Sequence, residues 1–238
     1  MASRFSSPEA SMRSYLFPLV LGLCGAGILI ALGVWQLQRL EWKEGILAEI
    51  DSRISAAPVP LPADPDPVAD KYRPVQVAGR YIDQPIHVLG STKADGAGYR
   101  VIQGFETQGR RILVDRGFIH LDDKAAVLQG GPLEITGNLH WPAETDGYTP
   151  DPDLAKNIWF ARDVTKMAKA LDTEETLIVV RMTSDTDPLL THIPLTGTGI
   201  PNNHLQYAIT WFLLTLVWLG MTLYMMWRIR RSKAIAAR

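Results

Sequence analysis

Two stretches of this chain carry no charge for the length of a membrane. Residues 15–37 read YLFPLVLGLCGAGILIALGVWQL, and residues 207–227 read YAITWFLLTLVWLGMTLYMMW. A hydrocarbon core of roughly 30 Å is crossed by about 20 helical residues, so each stretch is long enough to span it. In lipid the backbone must pair its own polar groups, and within one segment only a helix does so. Every other element must therefore lie between two anchors or beyond them. The hydrophobic fraction of 47% hides this division, because the middle of the chain is polar.

The first stretch exceeds the apolar core of a secretory signal, about 7–15 residues, and no small-x-small cleavage site follows it. Leu23, not a small residue, precedes Cys24, which argues against a lipoprotein site. An uncleaved anchor is expected. Cys24 is the only cysteine, which excludes an internal disulfide framework and a cysteine-rich metal site.

Charge orients the anchors. Residues 1–14 and 228–238 together hold seven basic residues against one acid, Glu9, whereas residues 38–206 hold 17 basic and 24 acidic residues. Basic flanks stay on the cytoplasmic side, so both termini are expected there, with the connection in the periplasm or the mitochondrial intermembrane space. The lipid bilayer is then an obligatory partner, and nucleic acid is not an expected one.

The connection reads in blocks. RLEWKEGILAEIDSRI, residues 39–54, repeats Leu40, Ile46, Leu47, Ile50 and Ile54 at helical spacing and extends the first helix. AAPVPLPADPDP, residues 56–67, has five prolines in 12 residues and is expected to be an extended linker. Strands are expected at residues 74–82, 86–90, 98–107, 110–119, 132–141 and 175–182, with a shorter one at 157–161. Residues 163–172, DVTKMAKALD, read as a helix capped by Asp163. The expected fold class is an α+β membrane protein: two transmembrane helices flanking an external, mostly antiparallel β domain, a partial barrel, with one or two helices. The boundaries are a cytoplasmic N-terminus at 1–14, a first span at 15–37, a helical extension at 38–55, a proline-rich linker at 56–73, the β domain at 74–203, a second span with its outer end at 204–227, and a basic tail at 228–238.

No GxSxG, P-loop, CxxC or HExxH motif occurs, and no enzyme is expected. Asp122-Asp123 reads as solvated surface. His87, His120, His140 and His192 are scattered, and each reads as a hydrogen-bonded strand-end residue. Asp115-Arg116-Gly117 reads as an ion pair and turn at a hairpin edge.

Opposed spans bring Trp35, Gln36 and Arg39 to the same membrane face as Asn202, Asn203, His204 and Tyr207. Asn202 or Asn203 is placed to cap the second helix. His204, Tyr207, Trp211 and Trp218 fall near one helical stripe. Two readings of this stripe stand. Tyrosine and tryptophan populate membrane interfaces in any case, and a histidine at headgroup depth needs no special role. Alternatively, the neutral imidazole of His204 is an axial ligand for haem iron, with Tyr207 and Trp211 as an apolar wall.

LGVWQLQRLEWKEGIL, GRYIDQPIHVLG, GYRVIQGFE, ILVDRGFIH, GNLHWP, NIWFARDV and NNHLQYAITWF, in this order, resemble the surfeit locus protein 1 family over residues 32–227. The resemblance implies a cytochrome c oxidase assembly factor. It implies bound haem a, with His204 as the ligand to its iron, and insertion of that haem into the oxidase's largest subunit. Trp35 and Gln36 join Tyr207 and Trp211 as pocket-wall residues because they lie in a matching block. The implied partners are the oxidase subunits, the largest first, and the machinery that makes haem a. The alternative is a scaffold that steadies an oxidase intermediate by protein contacts alone. The 14 residues before the first span are shorter than a mitochondrial presequence and contain Glu9, so a bacterial inner-membrane member is expected.

Overall fold

The computed structural model describes residues 8–126, 128, 131–183, 187–196 and 202–236. They form two compact units, one made of the chain ends (Met1–Leu47 and Thr198–Arg238) and one made of its middle (Ala48–Gly197).

Leucine, isoleucine and alanine dominate the first unit, and it is helical. Helix α1 runs unbroken over Pro8–Ile54, with Pro18 inside it, and α3 spans His204–Ala236. Both are long and apolar enough to cross a membrane. Contacts run in opposite order along them: Gln36 meets His204, Gly33 meets Phe212, Gly25 meets Trp218 and Gly22 meets Thr222. The helices are therefore antiparallel. Small residues admit the close approach, as expected where lipid offers no hydrophobic drive and packing must do the work. A Cβ at Gly25 would lie 2.5 Å from the Trp218 indole, and one at Gly33 would lie 2.7 Å from the Phe212 ring. Trp218 also donates its indole N–H to the Gly22 carbonyl at 3.0 Å. Gly25→Leu is expected to push the helices apart and release that bond. Overpacking of this kind costs about 1–3 kcal/mol, which a loss of folded protein on heating in detergent would register.

The middle unit is a mixed sheet. Its strands are β1 (Val59–Pro60), β2 (Pro74–Thr92), β3 (Gly96–Thr107), β4 (Arg110–His120), β5 (Pro132–Leu139) and β6 (Leu177–Thr183), with helix α2 at Val164–Leu171. Their order is β1-β2-β3-β4-β6-β5, and an additional β2–β5 pairing joins the far strand back to β2. The β1–β2 and β4–β6 pairs are parallel and the other four antiparallel. Strand β4 is buried on both faces. Ile112 and Val114 enter one apolar cluster with Phe105 and Ile135, while Leu113 enters another with Trp159 and Met167. This explains its nearly continuous apolar run, since alternate side chains both find a core.

Four expectations change. The two strands expected at 74–82 and 86–90 are one strand, β2, whose register shifts between Ile82 and Ile86. Asp83 there has φ +60°, and Pro85, which has no N–H for a ladder, gives its carbonyl to Asn157. Part of the expected linker is edge strand β1, because proline is tolerated at an edge. Residues 157–161 form no strand of their own. Trp159 bridges to Val88, exchanging backbone bonds with His87 and Leu89. Asp115-Arg116-Gly117 is not a hairpin edge but lies inside β4, at a second register shift. Gly117 there has φ +126°, and a Cβ on it would sit 2.5 Å from the Thr191 carbonyl oxygen. As expected, Asp163 caps α2, accepting from the Lys166 backbone N–H at 3.0 Å.

The Asp115 carboxylate has no solvent exposure and receives two guanidinium groups. Arg100 Nη2 approaches at 2.7 Å and Arg162 Nη1 at 3.2 Å. Arg162 also pairs with Glu144. The Arg100 and Asp115 pair ties β3 to β4, and Arg162 adds the segment before α2. Burial disfavours the charged Arg162, but hydrogen bonding and charge from Glu144 and Asp115 win, and its pKa is raised.

Candidate functional site

At one end of the helix pair, α3 begins with its first turn closed by the Tyr207 N–H on the Asn203 carbonyl at 3.2 Å. Asn203 thus holds the backbone position of a helix cap, but among the described residues neither Asn202 nor Asn203 makes the expected side-chain cap bond, and the buried Oδ1 of Asn202 has no partner. His204, the first helical residue, is half-buried, and its Nδ1 lies 2.7 Å from Oε1 of Gln36 on α1. An amide oxygen only accepts, so this contact puts the imidazole proton on Nδ1. A neutral imidazole carries one N–H, which leaves Nε2 as a lone-pair donor. Among the described residues Nε2 makes no hydrogen bond.

The aromatic residues sort by face. Each helix turns about 100° per residue. For antiparallel helices meeting at Gln36 and His204, Trp35 and Tyr207 therefore project on one side of the contact, and Gly33 and Phe212 lie on the other. Trp35 is 54% exposed and Tyr207 55%. Trp211 is half-buried beside the helix contact, one turn beyond Tyr207. The side of Trp35 and Tyr207 is thus a shallow, aromatic, open wall that begins at the imidazole. It fits a flat apolar ring system with an iron centre. The donor set supplies one imidazole nitrogen beside exposed aromatic rings. Among the described residues, no group of three or more His, Cys, Asp or Glu side chains could hold a bare metal ion.

The other histidines lie in the middle unit, and among the described residues only the rings of His87 and His192 are hydrogen-bonded, against the expectation for all four. His87 is buried, accepts from the Asn157 side-chain amide at 3.2 Å through Nδ1, and meets Tyr99 edge-on. His140 stacks on Tyr72, with its Nδ1 buried and unpartnered. His192 holds the Arg116 carbonyl at 2.8 Å. His120 ends β4 with its ring edge-on to Phe118. Burial first, then nearby cationic side chains, lowers the pKa of His87 and His140 to about 4. The unfolded chain takes up these protons near pH 6.5. Stability is therefore full above about pH 6.5 and falls as pH drops towards 4, because there only the unfolded state binds the protons. By pH 5 the two together are expected to remove on the order of 2–4 kcal/mol, the lower figure allowing for solvent screening. Unfolding midpoints of the full chain in detergent between pH 7.5 and 5 check this, and His87→Gln should flatten the slope.

The sequence reading placed His204, Gln36, Trp35, Tyr207 and Trp211 in one neighbourhood, and in the structure Gln36 and His204 touch. It took Gln36 for a wall residue, and the structure makes it the hydrogen-bond partner of His204. It missed the buried Arg100–Asp115–Arg162 group. The available signal was Asp115-Arg116 standing inside an otherwise apolar strand.

Comparison with known proteins points one way. The model of the SURF1 family matches residues 23–216. "Surfeit locus protein 1" of Rattus norvegicus is 30% identical over 76% of this chain and 66% of its own length, so the chain spans just under two thirds of that relative. The Homo sapiens protein of the same name is 30% identical over 76% of this chain and 68% of its own. A "SURF1-like protein" of Rickettsia bellii is 30% identical over 78% of this chain and 80% of its own.

Proposed function

Because the chain belongs to the SURF1 family, we propose that it is an assembly factor for cytochrome c oxidase that holds haem a at the outer ends of the two membrane-spanning stretches, where Gln36 of α1 meets His204 of α3. The single observation carrying the haem reading is the Gln36–His204 contact at 2.7 Å. It leaves Nε2 of His204 free to serve as the axial ligand. Haem supplies an iron that accepts imidazole nitrogen and a broad apolar face. Tyr207, Trp211 and Trp35 form the wall on which that face rests. An open wall with one protein ligand suits a carrier that must release its cargo, and we read the chain as a carrier rather than a catalyst.

The charge pattern supports both termini on the cytoplasmic side, and the likeness to a Rickettsia bellii protein is consistent with a bacterial inner membrane and a periplasmic middle unit. In that orientation the mixed sheet meets the oxidase, its largest subunit first, or the source of haem a.

The test is an optical spectrum of the full chain, purified in detergent from cells that make haem a. Soret and α bands at near-stoichiometric strength are expected. A haem-free protein that still captures oxidase subunits would replace this reading with the scaffold, which steadies an assembly intermediate by protein contacts alone.

A further inference from the structure

We propose that Gln36 sets the tautomer of His204 and so makes ligation by Nε2 depend on α1 and α3 being closed together. The inference deepens the haem reading of His204 and rests on it for its function, though not for its chemistry. His204 stands in the first turn of α3. The first turn of a helix offers unpaired backbone N–H groups and no free carbonyls. Left to these neighbours, Nδ1 would accept a hydrogen bond, and the proton would reside on Nε2, where it blocks coordination. The Gln36 side-chain oxygen, 168 residues away in sequence and on the other helix, reverses this preference by accepting from Nδ1 at 2.7 Å. Metal-binding histidines generally need such a partner on the second nitrogen, which orients the ring and raises its basicity.

The arrangement has a regulatory consequence. Gln36 and His204 face each other across the helix pair, and further along it Gly33 faces Phe212 and Gly25 faces Trp218. Separation of the helices at this level withdraws the Gln36 acceptor. With that acceptor withdrawn, an unligated imidazole would favour the proton on Nε2, and that tautomer would offer iron no lone pair. Gln36 is thus a positioning residue, acting through His204.

The tautomer is measurable without haem. Full-length protein labelled with ¹⁵N-histidine, in lipid nanodiscs, gives long-range ¹H–¹⁵N correlations, with His204 assigned by its loss in His204→Ala. Wild-type protein is expected to show Nδ1 protonated and Nε2 bare. Gln36→Leu is expected to shift the population towards protonated Nε2 and to weaken haem a retention by about 10–100-fold. Gln36→Glu, which keeps the shape and strengthens the acceptor, is expected to retain the tautomer, move the Nδ1 proton downfield and lower the reduction potential of bound haem. Protonated Nε2 in the wild type overturns the proposal. So does an unchanged tautomer in folded Gln36→Leu, or an unmoved Nδ1 proton in Gln36→Glu if the leucine variant does not fold. The expected tautomers in a protein that binds no haem would uphold the role of Gln36 and defeat the haem reading instead.

Discussion

His204→Ala is expected to remove haem a from the purified protein while leaving the fold intact. Among the described residues, the substitution deletes the one imidazole beside this helix contact. What remains is stacking against Trp35, Tyr207 and Trp211, two of which are largely exposed. Loss of the axial bond should weaken retention on the order of 100-fold, about 3 kcal/mol. The fold should tolerate the change because His204 lies at the end of α3 rather than within its packed length. Gln36 loses one hydrogen bond at a depth where headgroups and water replace it. Haem content per folded molecule, compared at equal yield, is the readout. Equal haem in both proteins would move the ligand elsewhere. Tyr207→Ala and Trp35→Ala should each give smaller losses, because each removes part of a wall and no bond.

The largest stability effect is expected at Asp115. Its carboxylate is fully buried between Arg100 and Arg162, at 2.7 and 3.2 Å. It also accepts the Gly117 backbone N–H at 3.2 Å. Asp115→Ala would leave two guanidinium groups facing each other, with Glu144 alone to balance them. Breaking a buried ion pair from one side costs about 3–5 kcal/mol, because the stranded charge has lost its water without keeping its partner. A domain is stable by only about 5–15 kcal/mol, so the variant should be marginal. A unit of this size loses roughly 2–4 °C per kcal/mol, which predicts a midpoint about 10 °C lower. Any protein that stays folded should hold haem as the wild type does. A melting point unchanged in Asp115→Ala would mean that solvent reaches the cluster and screens it.

The two effects differ in how visible their causes were in sequence. His204 stands beside a long uncharged run, and polar residues at such a boundary draw notice from composition alone. Asp115 sits in RRILVDRGFI as half of an Asp-Arg pair with apolar residues before it, a pattern that serves equally for a turn and for a buried charge. Only the positions of Arg100, on the neighbouring strand, and Arg162, far along the chain, decide between them. The same holds for β2. The triplet Asp83-Gln84-Pro85 reads as a turn because proline and aspartate favour turns. In the sheet, β3 pairs with residues on both sides of it, and the triplet becomes a kink in one long strand.

What the sequence by itself determined follows from properties that act along the chain. Apolar length decided the two long helices, alternation and turn residues decided most of the strands, and Asp163 decided the start of α2. These rest on local hydrogen bonding and on burial of one face, which neighbours in sequence supply. The tertiary structure decided whatever needs two distant segments: the β2–β5 pairing, the parallel β4–β6 pair and the cage around Asp115. It also decided that Gln36 is the partner of His204 rather than a bystander. The physical reason is that hydrogen bonds and ion pairs form over about 3 Å. A residue type shows what it could bond, and only the packing of remote elements brings one particular partner within that reach.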